Sequence, residues 1–486
     1  MNKIDPDSKI IQSKETNSTP KRRLMDVLKE NLTCEMYHAL FEVFDSPHYV
    51  IKIYLSLFLL LAYGLASYTT VNIILGYLNY GVTTTTRTVY ETPVDFPKVT
   101  VCNINPFTTQ YAFNLLKKFD RNSILNSNSL DSTPFKSLLF TSIGQVATDN
   151  DTNKMLISHS LNDILISCKY NQEVCTASDF TWYFDLYYGN CYSFNSGSNS
   201  TGQSVALKQS SIPGLNFGLQ LELYVNYYEQ LALFNSATGG LGLLVRVDNE
   251  SHIIDHIMGG IQVSASQATF VSLGREFKTS LAQPYSDCAL DPENPVFSSD
   301  LYDLIRSSKY DYTQSFCIEQ CLQDLIVQKC NCSFPALVSL FNSSRCIEIG
   351  CGMMQYSKVF AQNNYIQKLC EPRCPLECNS TTFTYTTANF ALVNNIYANI
   401  IRSRPNLASD FISRNLSESA AKESVAQLNV FYDSLTYRVS EESPQWDMLT
   451  LLANLGGNLG LYLGVSMFSV CEWVTTLLEI YFWKKH

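Results

Sequence analysis

Gly456-Gly457-Asn458-Leu459-Gly460-Leu461-Tyr462-Leu463-Gly464-Val465-Ser466-Met467-Phe468-Ser469-Val470-Cys471-Glu472-Trp473 (GGNLGLYLGVSMFSVCEW) is apolar enough to enter a bilayer, yet it carries four glycines and a carboxylate. Projected at about 100° per residue, Asn454, Asn458, Leu461, Val465, Phe468, Glu472, Thr476 and Glu479 fall within about 40° of one line, a polar stripe along the segment. A carboxylate in hydrocarbon costs about 2.5 kcal/mol or more, so Glu472 must face water, a partner or a pore. Gly456, Gly460 and Gly464 lie on an adjoining face, where they permit close backbone approach between helices. They either pack this helix on another span of the same chain or let several copies crowd round a hydrated axis. Stripe and glycine face together favour the second reading, with Asn454, Asn458, Leu461 and Glu472 as pore-lining residues. The apolar segment runs from Trp446 to Trp483. As one helix it would reach about 57 Å, against a hydrocarbon core of about 30 Å. It must tilt, protrude or break. A break at Gly464-Val465-Ser466 would expose backbone carbonyls able to replace water round a small cation. Such backbone is tolerated only where it lines a cavity.

Working outward, a second uncharged run, Ile53–Leu75, is long enough to span a bilayer, and the polar residues before it are too many for a signal peptide. Lys21-Arg22-Arg23, Lys29 and Lys52 precede this run and Lys484-Lys485 follow the other, so both termini read as cytoplasmic. The organisation is then a cytoplasmic tail (1–52), a first span (53–75), an extracellular ectodomain (76–445), a second span with the pore (446–483) and a short tail (484–486). Of 16 cysteines, all but Cys34 and Cys471 lie between the spans, an even set that suits an oxidising compartment. Asn150, Asn199, Asn249, Asn342, Asn379 and Asn415 head Asn-x-Ser/Thr acceptors there, compatible with glycosylation. The net charge of −10 also belongs to that region. It attracts cations and argues against nucleic acid. Alternation predicts strands at Lys98–Val101, Leu219–Val225, Leu241–Val247 and Leu428–Tyr437, and helical spacing marks Ser299–Gln328 and about Ala391–Ile412, interrupted at Pro405. The ectodomain is therefore mixed α+β.

Three further stretches carry a resemblance. Phe96–Asn103 (FPKVTVCN), Gly189–Gly197 (GNCYSFNSG) and Gly464-Val465-Ser466 are similar to the post-membrane strand, the ectodomain signature and the Gly-x-Ser filter of the epithelial sodium channel, degenerin and acid-sensing ion channel family. The resemblance covers His38 to Glu472. It implies a homo- or heterotrimer in the plasma membrane, with two transmembrane helices per chain and a disulfide-rich palm, finger, thumb and knuckle ectodomain. It implies the pairs Cys102–Cys191, Cys168–Cys175, Cys288–Cys378, Cys317–Cys374, Cys321–Cys370, Cys330–Cys351 and Cys332–Cys346, which spacing alone leaves open among many connectivities. It implies a selectivity filter at Gly464, Val465 and Ser466, a lower-pore carboxylate at Glu472, and gating residues at His38, Tyr80, Tyr285 and Thr450. Sodium is the implied ion, amiloride the blocker, and membrane lipid and related subunits the surroundings; no cofactor or resident metal is implied. The sequence departs from the family at His38-Ala39, where the family has His-Gly, and at Asn454, where acid-sensing members have an acidic residue. Few carboxylates lie in Ser333–Leu369, so an extracellular peptide or other small ligand ranks before protons and force as the stimulus.

Other classes fit less. A two-span glycosylated receptor or scavenger explains the topology but not the intramembrane polarity. Zinc at Cys317, Cys321, Cys330 and Cys332 is disfavoured by the extracellular side and the even count. His252-Ile253-Ile254-Asp255-His256 loosely resembles an inverted zincin signature with aspartate for glutamate, but strand-like flanks and Gly259-Gly260 deny it a helix. No nucleophile elbow or phosphate loop is present, so the chain does not read as an enzyme.

Overall fold

In a computed structural model of the chain, the described residues are 43, 47–120, 124–126, 132–147, 149–185, 187–199, 203–225, 241–249, 260–289, 299–308, 310–335, 337–346, 350–352, 354–355, 365–393, 396–403 and 417–485. They fall into two compact units: Met1–Val82 with Pro444–His486, and Thr83–Ser443.

Helix α1 (Tyr49–Leu78) contains the first predicted span and extends it by about a turn at either end. It is the one described helix that is long and apolar enough by itself to cross a membrane. Leu57, Leu60, Leu61, Tyr68 and Leu75 all point outward from it. A helix apolar on every side suits hydrocarbon rather than water.

The unit Thr83–Ser443 runs β1 (Val82–Tyr90), β2 (Val94–Asp95), β3 (Lys98–Asn103), α2 (Gln110–Phe119), α3 (Ser132–Ala147), α4 (Asp151–Met155), α5 (Leu161–Ile164), β4 (Leu165–Tyr170), β5 (Glu173–Val174), β6 (Phe180–Asp185), β7 (Gly189–Phe194), β8 (Gln209–Ser210), β9 (Leu219–Tyr224), β10 (Gly242–Asp248), β11 (Ile261–Ser264) and β12 (Gln267–Thr279). It continues with α6 (Asp300–Arg306), α7 (Gln314–Cys330), α8 (Tyr365–Leu369), β13 (Asn379–Ala391), α9 (Tyr397–Ser403), α10 (Glu418–Glu423) and β14 (Val425–Pro444). One sheet has the order β13-β12-β14-β9-β4-β5, with β1 added to β14; a second has the order β11-β10-β3-β7-β6. Strands β12 and β14 run parallel, whereas β9 pairs antiparallel with β14 from Tyr224↔Val425 to Leu219↔Val430. Leu219, Leu221 and Leu223 alternate with half-buried Gln220 and Glu222, the period-two pattern of a strand with one face in the core.

The expected strand at Lys98–Val101 differs in one respect: every residue of β3 and of β7 is buried, polar ones included. The second face is covered too, and Thr100 Oγ1 lies 2.8 Å from Ser193 Oγ across the pair. Between the sheets Phe96, Val99, Phe194, Leu221, Val245, Leu273, Leu428 and Val430 form the main core. The Asn195 side-chain amide donates to the Phe96 carbonyl and so ties the signature motif to the post-membrane strand.

The helical stretch expected over Ser299–Gln328 is divided into two helices. Ser299 Oγ caps α6 by accepting from Tyr302 N at 3.1 Å, and Thr313 Oγ1 caps α7 by accepting from Phe316 N at 3.2 Å. Two caps within one apolar pattern start two helices. The helix expected from Ala391 begins later, at Tyr397, because Ala391 still pairs with Gln267 at the end of β13; residues 404–416, Pro405 among them, lie outside the described residues.

Seven disulfides join Cys102–Cys191, Cys168–Cys175, Cys288–Cys378, Cys317–Cys374, Cys321–Cys370, Cys330–Cys351 and Cys332–Cys346. Cys317 and Cys321, one turn apart on one face of α7, take partners that descend in number, so the returning chain runs antiparallel to the helix. Sulfurs bonded to each other offer no thiolate to zinc. The column is tied further by Tyr312 Oη donating to the Pro375 carbonyl at 2.6 Å and by Arg373 bonding Asp300 and Asp324. Burial, then the nearby Glu377 carboxylate, raises the Tyr312 phenol well above its ordinary value, so it stays a donor.

Candidate functional site

The second apolar segment forms α11 (Met448–Leu463) and α12 (Met467–Lys485). Asp447 starts α11: its carboxylate accepts from Thr450 N at 2.6 Å. Leu451, Leu455, Asn458, Leu459, Gly460, Tyr462 and Leu463 are its less exposed residues, and the helix packs along α1. From Ala62 to its end, the less exposed residues of α1 are Ala62, Tyr63, Ala66, Thr69, Thr70, Ile73, Gly76 and Tyr77. A Cβ on Gly76 would meet the Trp446 ring at 3.9 Å.

Asn458 is the polar centre of this contact. Its amide donates to Thr70 Oγ1 at 2.7 Å and to the Ala66 carbonyl at 3.3 Å, while its oxygen accepts from Thr69 Oγ1 at 2.6 Å. It is 9% exposed, whereas Asn454 and Leu461 on the same predicted stripe point outward, Leu461 at 77% exposure. Three of the four hydrogen-bonding positions of the amide are therefore occupied by α1 of the same chain. Thr69 and Thr70 were not singled out by the sequence reading. The signal was a threonine pair inside an otherwise apolar run, which hydrocarbon tolerates only with a partner.

The glycine face divides. Among the described residues a Cβ on Gly456 or Gly457 would meet nothing within 4 Å, so neither glycine is needed for packing against α1. At Gly464 the chain takes the left-handed conformation (φ 64°), its N–H donating to the Gly460 carbonyl and that of Val465 to the Leu459 carbonyl. Glycine adopts this conformation without a Cβ clash and stops the helix. The helix restarts through a reciprocal cap, Ser466 Oγ accepting from Ser469 N at 3.3 Å and Ser469 Oγ from Ser466 N at 3.2 Å. The two helices are bent by 91° across the break and, taken as one interrupted span, are together long and apolar enough to cross a membrane. Gly464, Val465 and Ser466 are the three residues between them.

Thr450 lies in the first turn of α11, and its carbonyl accepts from the Asn454 amide at 2.8 Å. Glu472 lies within α12. Tyr80 follows α1 with a positive φ of 49°, its ring 6.4 Å from that of Tyr77. Tyr285 belongs to the other unit, where its N–H closes a turn on the Ala282 carbonyl at 3.1 Å. Of the acceptor asparagines, Asn150, Asn342 and Asn379 are exposed and Asn199 and Asn249 half-buried. His38, Asn415 and the segment His252–His256 lie outside the described residues.

The amiloride-sensitive sodium channel family matches residues 34–475. The epithelial sodium channel subunit alpha of Mus musculus is 28% identical over 336 residues, 68% of this chain and 45% of the relative. The subunit gamma of Xenopus laevis is 27% identical over 332 residues (68% and 47%), and that of Neoceratodus forsteri 26% over 338 (67% and 48%). The chain thus spans about half the length of the curated relatives it matches. Among solved structures, the cryo-EM structure of a proton-activated chloride channel overlaps 89% of this chain and 99% of that chain at 7% identity and a TM-score of 0.31, too loose a likeness to bear on fold or ion. With the match running from the residues before α1 into α12 and taking in the whole disulfide-stapled unit between, the chain belongs to the amiloride-sensitive sodium channel family.

Proposed function

We propose that this chain is a subunit of a sodium-selective channel of the plasma membrane, with both termini cytoplasmic, assembled as a homo- or heterotrimer, opened by an extracellular peptide or other small ligand and blocked by amiloride. The observation that carries the reading is the interrupted second span. A glycine stop and a serine restart leave the Gly464, Val465 and Ser466 backbone outside either helix, and the open face at Gly456 and Gly457 leaves room for a neighbouring copy. Carbonyls from three copies would take the place of water round sodium. Outward-facing Asn454 and Leu461 would line the path above them. Glu472, about 9 Å further along α12, would draw the ion onward. Asn458 would act from behind the lining, by holding α11 against α1. Tyr80, Tyr285, Thr450 and His38 would carry gating, a ligand shifting the equilibrium only through different affinity for the open and closed states.

The test is whole-cell current from cells expressing the chain, with amiloride, acid steps and candidate neuropeptides applied outside. A sodium current blocked by amiloride, with ion preference altered in Ser466→Ala or Glu472→Gln, is expected. No sodium current under any stimulus, or unchanged preference in both variants, overturns the reading. A current evoked only by acid would replace the ligand with protons.

A further inference from the structure

Far from the helix break in sequence, the ectodomain unit contains a half-open cavity of about 490 Å³, bounded by α4, β6 and the loop after α7. That volume is within the range that holds a drug-sized ligand. Trp182, Phe184, Tyr310, Phe334 and Phe341 supply aromatic wall. The charged lining is Lys154 and Arg345 against Asp151, a cationic surplus in a chain whose net charge is −10.

Lys154 is 7% exposed, yet among the described residues its ammonium reaches one acceptor, Asp151 Oδ1 at 3.0 Å, and the face of the Phe184 ring at 5.8 Å. An ammonium has three donors, and a buried charge is costly unless matched. Asp151 matches it poorly, because the side chain of Asp151 is 72% exposed and already solvated. Among the described residues the Arg345 guanidinium makes one long bond, to the Ala147 carbonyl at 3.4 Å. The Ser343 hydroxyl, also on the wall, is buried with no hydrogen-bond partner among the described residues. A purely structural Lys154, paired one turn away on α4, accounts for one donor and one ring. It leaves the cavity, the second cation and the unpaired hydroxyl without a purpose.

We propose that this cavity binds a small organic anion, a carboxylate on an aromatic or apolar body. Lys154 and Arg345 receive the carboxylate, Ser343 adds a donor, and the aromatic wall takes the body. The site deepens the ligand-gated reading above and rests on it only for the consequence on current; binding stands independently.

The experiment titrates the full-length chain, purified in detergent, with 2-naphthoate and with its neutral isostere 2-naphthamide by calorimetry, and follows Trp182, the one tryptophan of the Thr83–Ser443 unit, by fluorescence. Saturable binding of the acid, about tenfold tighter than the amide, is expected, and Lys154→Met and Arg345→Gln should each weaken the acid by about tenfold while leaving the amide within about twofold. Arg345 is exposed, so its variant decides the matter should Lys154→Met fail to fold. No saturable binding, equal affinity for acid and amide, or undiminished acid binding in Arg345→Gln overturns the proposal. Binding by the purified chain that leaves the sodium current of cells expressing it unchanged when 2-naphthoate is applied outside would instead sink the link to gating and leave the site standing.

Discussion

The Asn458 side chain touches three groups on α1 and thereby decides which way α11 faces. Helical projection places Asn458 on the same stripe as Asn454 and Leu461. Projection alone does not say which neighbour a stripe meets, and the nearest available partners were Thr69 and Thr70. Asn458→Leu should weaken the α1–α11 pairing by about 1 kcal/mol, the usual worth of an interhelical hydrogen bond in a membrane. Thr69 retains the Leu65 carbonyl as acceptor, at 2.7 Å, and so is not orphaned. A double-mutant cycle of Asn458→Leu with Thr70→Val, read from unfolding in detergent, should give a coupling of about 0.5 kcal/mol or more. Were Asn458 purely a pore residue, the cycle would be additive and ion preference alone would change.

Among the elements, the column built on α7 combines covalent and ionic ties of very different strength. Within it Cys321–Cys370 already closes most of the loop spanned by Cys317–Cys374, so loop-closure entropy is best compared outside the column, where it assigns the Cys102–Cys191 bridge, with a sequence separation of 89, about 4.5 kcal/mol. The Cys168–Cys175 bridge, with a separation of 7, is assigned about 2.5 kcal/mol. Paired serine replacements should therefore lower the melting temperature more for Cys102–Cys191 than for Cys168–Cys175, as calorimetry of the purified chain would report. The Asp300 carboxyl is held below its ordinary value, chiefly by the hydrogen bond from Arg373. A carboxylate depressed in the folded state contributes stability above its unfolded pKa of about 4 and loses it as pH falls further. Resistance of the column to proteolysis should be flat between about pH 5 and 8 and decline below about pH 4, and Asp300→Asn should flatten that acid limb. Asp300 is largely exposed, so the effect is modest. The strands with one buried face were legible from alternation. The fully buried β3 and β7 hid their second face, since a covered polar residue reads in sequence like a solvated one.

At the scale of the molecule, two apolar runs, an even cysteine set between them and a handful of short motifs are what the sequence offers for dividing the chain. The cysteine pairing was not available from spacing and came from resemblance; the α1–α11 contact came from geometry. The proposed assembly is tested at the Gly456 face. Since nothing among the described residues lies within 4 Å of a Cβ at Gly456, Gly456→Leu should leave the unfolding of the separated chain within about 0.5 kcal/mol of the parent. It should nevertheless abolish trimers in cross-linking and size-exclusion measurements if that face meets a neighbouring copy. Unaltered trimers would place the subunit contact elsewhere.

The pairing of β12 with β13 has a wider implication. Thr279 lies opposite Asn379, Ser280 N–H donates to the Cys378 carbonyl at 2.7 Å, and the Cys288–Cys378 bridge locks the same spot. Topologically, everything from Leu281 to Glu377 is a single oversized hairpin turn, leaving and re-entering the sheet at facing residues. A cassette mounted in this way can be lengthened, trimmed or exchanged between relatives without disturbing the ladder that carries it. The ladder therefore keeps its register whatever the length of the insert it carries.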